Sequence, residues 1–406
     1  MDLPRSAGVL LHVASLPSGR IDRCAYEFVD AIAELGFRWW QILPLSPPDA
    51  TGSPYASPST FAIDPQLVDD HTSPVSTAER STFVAQEARW IHEHVRMMGE
   101  SSLDGQVRAD RSWRALRTYA AGQGVGLIGD LPIYVAPDGV EQRSHPELFL
   151  EGVVAGVPPD AFTDDGQHWG NPIFDWQSMA ADGYGLFVER VRRALDQVDV
   201  LRVDHFRGFA GFWAIPEDAL TARDGRWEPG PGAAPFRCAE HVLGPLPLIA
   251  EDLGVITDDV IRLRDELGYP GMRVAQFAFD GNPDNPHLPR NVGDWCALYT
   301  GTHDNDTTAG WWLSLDGAGR DRISGLLGVD IESGEEAATA LVDAVVASQA
   351  RLAVIPAQDL LCLGSQARLN TPGTVGGNWR WRLAADWRRG LDTSRIAERL
   401  ERSGRV

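Results

Sequence analysis

Residues 198–206 read VDVLRVDHF, a short apolar run that closes on Asp204 and His205. Strands buried on both faces of a parallel sheet read as nearly continuous apolar runs, whereas half-exposed antiparallel strands alternate apolar and polar residues. Working outward from this run, the same pattern recurs as GVLLHV (8–13), WWQILPL (39–45), VGLIGDLPIYV (125–135), LPLIAEDLGV (246–255), GMRVAQFAF (271–279), WCALYTGTHD (295–304) and RLAVIPAQDLL (351–361). With 198–206 they make eight, the number that closes a (β/α)8 barrel of the TIM type, so the fold class is α/β. An open doubly wound sheet stays as the alternative.

The stretches between the runs supply crossover helices with recognisable ends. AYEFVDAIAELG stops at Gly36, and EEAATALVDAVVASQA starts at Glu335. Thr257 is placed to cap a helix whose Val260, Leu263 and Leu267 share one face before Gly268 ends it. Strands alternating with helices imply a parallel sheet with right-handed crossovers. The whole chain, 1–406, is expected to be one catalytic barrel. Two connections exceed a simple crossover: 66–124, with helical patterns such as VRADRSWRALRTYAAG, and 208–244, rich in Gly, Pro and aromatic residues as a binding loop would be.

Composition limits the partners. A net charge of −21 repels nucleic acid and anionic lipid surfaces, while a neutral ligand is indifferent to that field. The chain carries 14 Trp, and flat apolar rings with an N–H handle suit the faces of sugars as well as a core. Cys24, Cys238, Cys296 and Cys362 are scattered and form no metal or redox spacing, which fits a reducing cytoplasm. No stretch approaches the roughly 18 apolar residues of a membrane span. No cofactor and no metal are expected, and nothing in the sequence sets an oligomeric state.

In barrels of this kind the site lies where strands end, so acids closing an apolar run are the first candidates. Three runs end so: Asp204 in LRVDHF, Glu251 with Asp252 in IAEDLG, and Asp304 with His303 in GTHD. Arg202 stands two residues before Asp204, on the same side of a strand, where a cation favours the ionised carboxylate that a nucleophile must be. Retaining glycoside chemistry needs one ionised carboxylate and one protonated carboxyl group about 5 Å apart. Adjacent strands can supply that pair, and a third acid can hold substrate hydroxyls.

RSAGVLLHVASLPS, GSPYASPSTFAIDP, GDLPIYV, GVPPDAFTDDGQHWGNPIFDW, LRVDHFRGF, GRWEPGPG, IAEDLGVIT, YTGTHDNDT and ARLNTPGTVGGNWRWR, taken in order, resemble the amylomaltases, the 4-α-glucanotransferases or disproportionating enzymes of the α-amylase clan. The resemblance implies transfer of α-1,4-glucan segments between maltooligosaccharides through a covalent glucosyl-enzyme. In it Asp204 is the nucleophile, Glu251 the acid/base and Asp304 the stabiliser, with Arg202 and His303 at the reacting glucose. It also makes Tyr55 a platform beside the donor sugar, and residues 156–172 a lid in which Asp160, Phe162, Gln167 and Trp169 are sugar contacts. Asn370 and Pro372 are placed to line the site. The family's helical insertion is larger than 66–124 allows, which bears on acceptor handling. An α-1,4-glucan hydrolase using the same carboxylates, and a non-catalytic glucan-binding protein, stay as alternatives.

Overall fold

The apolar runs become strands because they have nowhere to show a polar face: in the computed structural model, which describes residues 3–159, 164–374 and 376–406, the strands Val200–Val203, Leu248–Ala250, Cys296–Tyr299 and Leu352–Pro356 are buried along their whole length. In chain order the strands are β1 (Ser6–Leu10), β2 (Trp39–Gln41), β3 (Gly126–Leu131), β4 (Phe149–Val157), β5 (Gln167–Phe174), β6 (Val200–Val203), β7 (Gly211–Pro216), β8 (Arg226–Pro229), β9 (Leu248–Ala250), β10 (Gly271–Val274), β11 (Cys296–Tyr299) and β12 (Leu352–Pro356). Eight of them close a barrel in the order β1-β12-β11-β10-β9-β6-β3-β2. Every barrel strand overlaps one of the eight runs. The run read from Gly8 starts earlier, at Ser6, and the second half of GMRVAQFAF is a 3-10 turn, Ala275–Ala278.

Residues Pro44–Ala115 and Gly129–Tyr269 form one compact unit, and Leu116–Ile128 and Pro270–Val406, with the chain up to Leu43, form another. The second unit shows how a local glycine pattern sets a barrel layer. Gly8, Trp39 and Gly126 are register partners on β1, β2 and β3. A Cβ on Gly8 would stand 2.8 Å from that of Trp39, and one on Gly126 would stand 2.5 Å from its ring. Only glycine on both neighbouring strands leaves room for the indole. In the same unit, helix Gly334–Ala347 opens with a capping box between Ser333 and Glu336, one residue ahead of the expected start.

The first unit carries a structure the sequence pattern hides. A four-stranded antiparallel sheet, β5-β4-β7-β8, is built from the β3–β6 and β6–β9 connections. Segment 208–244, read as a loop, therefore holds β7, β8 and the helix Ala234–Leu243. Segment 66–124 holds the helices Thr77–Gln86, Ile91–Met98 and Ser101–Gly122. Buried Arg193, on helix Gly185–Gln197, pairs with Glu87 at 3.2 Å and Asp110 at 3.0 Å, tying those helices to the unit's core. Helix Asp258–Leu267 forms as expected and ends on Gly268 in the left-handed region, but Thr257 makes no side-chain cap bond: its backbone is extended as a cap requires, and its side chain bonds the Asp259 carboxylate.

Candidate active site

Parallel register decides which acids become neighbours. β6 pairs with β9 so that Val203 faces Ala250, and the next residues along the two strands are Asp204 and Glu251. The Glu251 amide donates to the Val203 carbonyl at 3.1 Å, and the Phe206 amide donates to the Glu251 carbonyl at 3.1 Å, so the register holds past the last strand residues. Strands in a sheet run about 4.8 Å apart, which sets adjacent carboxylates near the separation that retaining glycoside chemistry uses. The turn after Asp204 is sharp. His205 takes a left-handed conformation (φ 48°), and its amide donates to Glu251 Oε2 at 2.7 Å while the Leu253 amide donates to Oε1 at 3.1 Å.

Arg202 is the hinge of the electrostatics. Its guanidinium is buried and donates to Asp204 Oδ1 at 2.9 Å and to Asp130 Oδ2 at 2.5 Å. Tyr55, held in a short 3-10 turn, donates its hydroxyl to the same Asp130 oxygen at 2.6 Å. Burial pushes the Asp130 carboxyl above its usual range, against the pull of Arg202. Burial also raises Glu251 to about 8, with Arg202 opposing and the Asp204 charge adding to the rise. At neutral pH Glu251 is therefore a protonated acid beside a carboxylate that has its own cation.

Gln167 and Trp169 open β5. The Trp169 indole donates to Gln167 Oε1 at 3.1 Å and sets its ring edge-on to His205, centroids 4.9 Å apart, leaving the ring 37% exposed. Burial lowers His205 to about 4, so it faces Trp169 as neutral imidazole at pH 7. Asp160 and Phe162 lie outside the described residues.

Asp304 sits in the loop 300–307 that follows β11, farther from its strand than Asp204 and Glu251 are from theirs. Its Oδ1 accepts from Asn370 Nδ2 at 2.6 Å and lies 3.3 Å from His303 Nε2, and its carbonyl accepts from Arg368 at 2.8 Å. The Asn370 amide donates to the His303 carbonyl at 3.1 Å, and the Trp379 ring lies 5.8 Å from the His303 ring. Buried His12, at the end of β1, is lowered to about 3 by burial and then by His303. Pro372 is exposed in the turn that follows. Among the described residues, no group of three or more His, Cys, Asp or Glu side chains is placed to hold a metal ion.

The sequence pattern of one family, described as 4-alpha-glucanotransferase, matches residues 11–98 and 100–386. The chain belongs to the 4-alpha-glucanotransferase family. It is 38% identical to the 4-alpha-glucanotransferase of Thermus thermophilus over 94% of this chain and 95% of that one. It is 36% identical to the chloroplastic/amyloplastic 4-alpha-glucanotransferase of Arabidopsis thaliana, covering 93% and 81%. The solved amylomaltase of Streptococcus agalactiae, in complex with acarbose, superposes with a TM-score of 0.91 at 30% identity over 99% of both chains. The Thermus alignment runs over 477 positions, more than the 406 residues here, so that family member carries segments this chain lacks.

Several partners of the acids escaped the sequence. Asp130 stands next to the end of β3, but the apolar run it belongs to continues to Val135 and so masked it. Arg368 and Trp379 had no local signal: they meet the Asp304 loop only through the fold.

Proposed function

We propose that this chain moves α-1,4-glucan segments between maltooligosaccharides by two displacements at one anomeric carbon. Asp204 attacks that carbon while Glu251 gives its proton to the glycosidic oxygen, so the C–O bond breaks and a covalent glucosyl-enzyme forms. In the second step the Glu251 carboxylate takes the proton of an acceptor 4-hydroxyl, which attacks the same carbon and frees Asp204. Configuration is inverted twice and so retained. The observation that carries this reading is the register pair Asp204 and Glu251, one carboxyl beside a buried guanidinium and the other raised by burial. Membership in the 4-alpha-glucanotransferase family supports it independently.

In this reading Asp304 grips substrate hydroxyls more strongly as positive charge develops on the sugar, and His303 and Asn370 hold its orientation. Tyr55, Gln167, Trp169, Arg202, Pro372, Asp160 and Phe162 are proposed sugar contacts. The Tyr55 hydroxyl is tied to Asp130, so its ring is presented as a fixed surface. Free glucans and maltooligosaccharides serve as both donor and acceptor, a neutral substrate consistent with a charge of −21. A cytoplasmic setting is proposed because Cys24, Cys238, Cys296 and Cys362 are all free thiols. No helix among the described residues is long and apolar enough to cross a membrane.

Incubation with maltotriose as the sole sugar tests the activity. Glucose together with maltotetraose, maltopentaose and longer chains is expected. Glucose and maltose alone would mean that water takes the glucosyl unit and that the chain is a hydrolase.

A further inference from the structure

The loop that carries His303 and Asp304 is held from behind by a carboxylate with no part in the chemistry above. Asp359 lies in the short helix Ala357–Leu360 directly after β12, which pairs in parallel with β11. It is 1% exposed, and its pKa is raised, chiefly by burial. Its Oδ2 accepts from the hydroxyls of Thr300 at 2.5 Å and Thr308 at 2.8 Å, and its Oδ1 accepts from the Thr308 amide at 2.7 Å. No basic side chain is among these partners.

Position gives this arrangement its meaning. Thr300 is the first residue after β11, and Thr308 is the first residue of helix Thr308–Ser314, so the three bonds converge from the two ends of one loop onto one side chain. Both threonines are fully buried. Gln276 adds a bond to the Asp306 carbonyl at 2.9 Å, and Ser365 adds one to the Asp306 carboxylate at 2.6 Å. A carboxylate buried without a cation is costly, and an apolar residue of similar size would pack there without that cost. What the carboxylate supplies is geometry, since it fixes the span between two backbone points and with it the loop between them.

We infer that Asp359 is a positioning residue for the transferase reaction, clamping Thr300 and Thr308 so that the loop presents Asp304 in the geometry the transition state requires. This rests on the reading of Asp304 as the transition-state stabiliser. A displacement of about 1 Å in such a group costs on the order of a hundredfold in rate. Because the interaction is made in the transition state, the loss belongs in kcat and not in KM.

Maltotriose disproportionation by the full-length chain tests it. Asp359→Ala is expected to lower kcat about a hundredfold with KM within about twofold. Asp359→Asn should recover only part of that loss, since its carbonyl oxygen can accept from both hydroxyls while its NH2 faces the Thr308 amide, donor against donor. Adding Asp359→Ala to Asp304→Asn should cost nothing more, because both changes remove one contribution. Unchanged kcat in Asp359→Ala, a loss in KM alone, or losses that multiply in the double variant would overturn the inference. Should Asp359→Ala fail to fold, Thr300→Val removes a single bond and is expected to lower kcat about fivefold with the same unchanged KM. An unaltered kcat there overturns the inference equally. If Asp304→Asn by itself leaves kcat intact, the stabiliser reading fails and takes this one with it. A large loss in Asp304→Asn with none in Asp359→Ala sinks the clamp alone.

Discussion

The Asp204–Glu251 pair and the Asp304 loop are built from opposite materials. Around Asp204 the partners are ionisable and buried: Arg202 bridges it to Asp130, and Glu251 stands at the next register position. Around Asp304 the side chain is 44% exposed, its nearest donors are an amide and an imidazole, and its loop is tied down by neutral hydroxyls. Burial shifts the protonation state of Glu251, which is what the proposed acid needs. Neutral donors on a fixed loop set orientation, which suits a group that only has to be present at the right place. The difference teaches that the first region is tuned in charge and the second in geometry, so damage to each should look different.

The comparison breaks most visibly at Asp204, the proposed nucleophile. Asp204→Asn is expected to lower kcat by several powers of ten on any glucan while the thermal midpoint holds, since a covalent bond is lost and little packing is. A retained rate within tenfold would remove Asp204 from the chemistry.

Next comes the cation that serves both neighbours. Arg202→Met leaves Asp130 and Asp204 without their shared guanidinium, and breaking a buried pair in this way costs about 3–5 kcal/mol of folding stability. Chemical denaturation should show that loss, with kcat down on the order of a hundredfold. A variant as stable as the parent would mean the bridge is not a buried pair in solution.

The second region predicts a smaller and cleaner effect. Asn370→Ala removes the 2.6 Å bond to Asp304, and a hydrogen bond to a charged group contributes about 1.5–3 kcal/mol, so kcat should fall on the order of tenfold without a change in the pH profile. A shifted profile would show that the two regions are not separable in this way.

The smallest perturbation uses no mutation. In the proposed mechanism Glu251 must be protonated to start the reaction, and burial raises it to about 8, so kcat/KM should be level through neutral pH, halve near pH 8 and fall about tenfold per unit above that. Arg202 opposes the rise, so Arg202→Met should move the limb to higher pH. A limb that stays put would exclude Arg202 as the opposing charge.

The barrel was legible because its strands are buried on both faces and read as unbroken apolar runs. The antiparallel sheet was not, since β7 and β8 start or end on Gly211, Pro216 and Pro229, residues that signal turns, and β8 is largely exposed. The acids followed from one rule about run ends, which missed Asp130 because its run continues past the end of β3. Arg202 and Asp204 share a side because they are two residues apart, a relation that survives without tertiary knowledge. Asn370, Arg368 and Asp359 reach the Asp304 loop from beyond β12, at separations no local pattern encodes.

The central claim is that Asp204 carries the glucosyl unit between donor and acceptor. A fluorinated α-maltosyl fluoride, which forms the intermediate and resists its breakdown, should leave the chain heavier by one modified maltosyl group, and digestion followed by mass spectrometry should place that group on the peptide containing Asp204. Complete consumption of the reagent with no adduct, or an adduct on Glu251 or Asp304, would contradict the account.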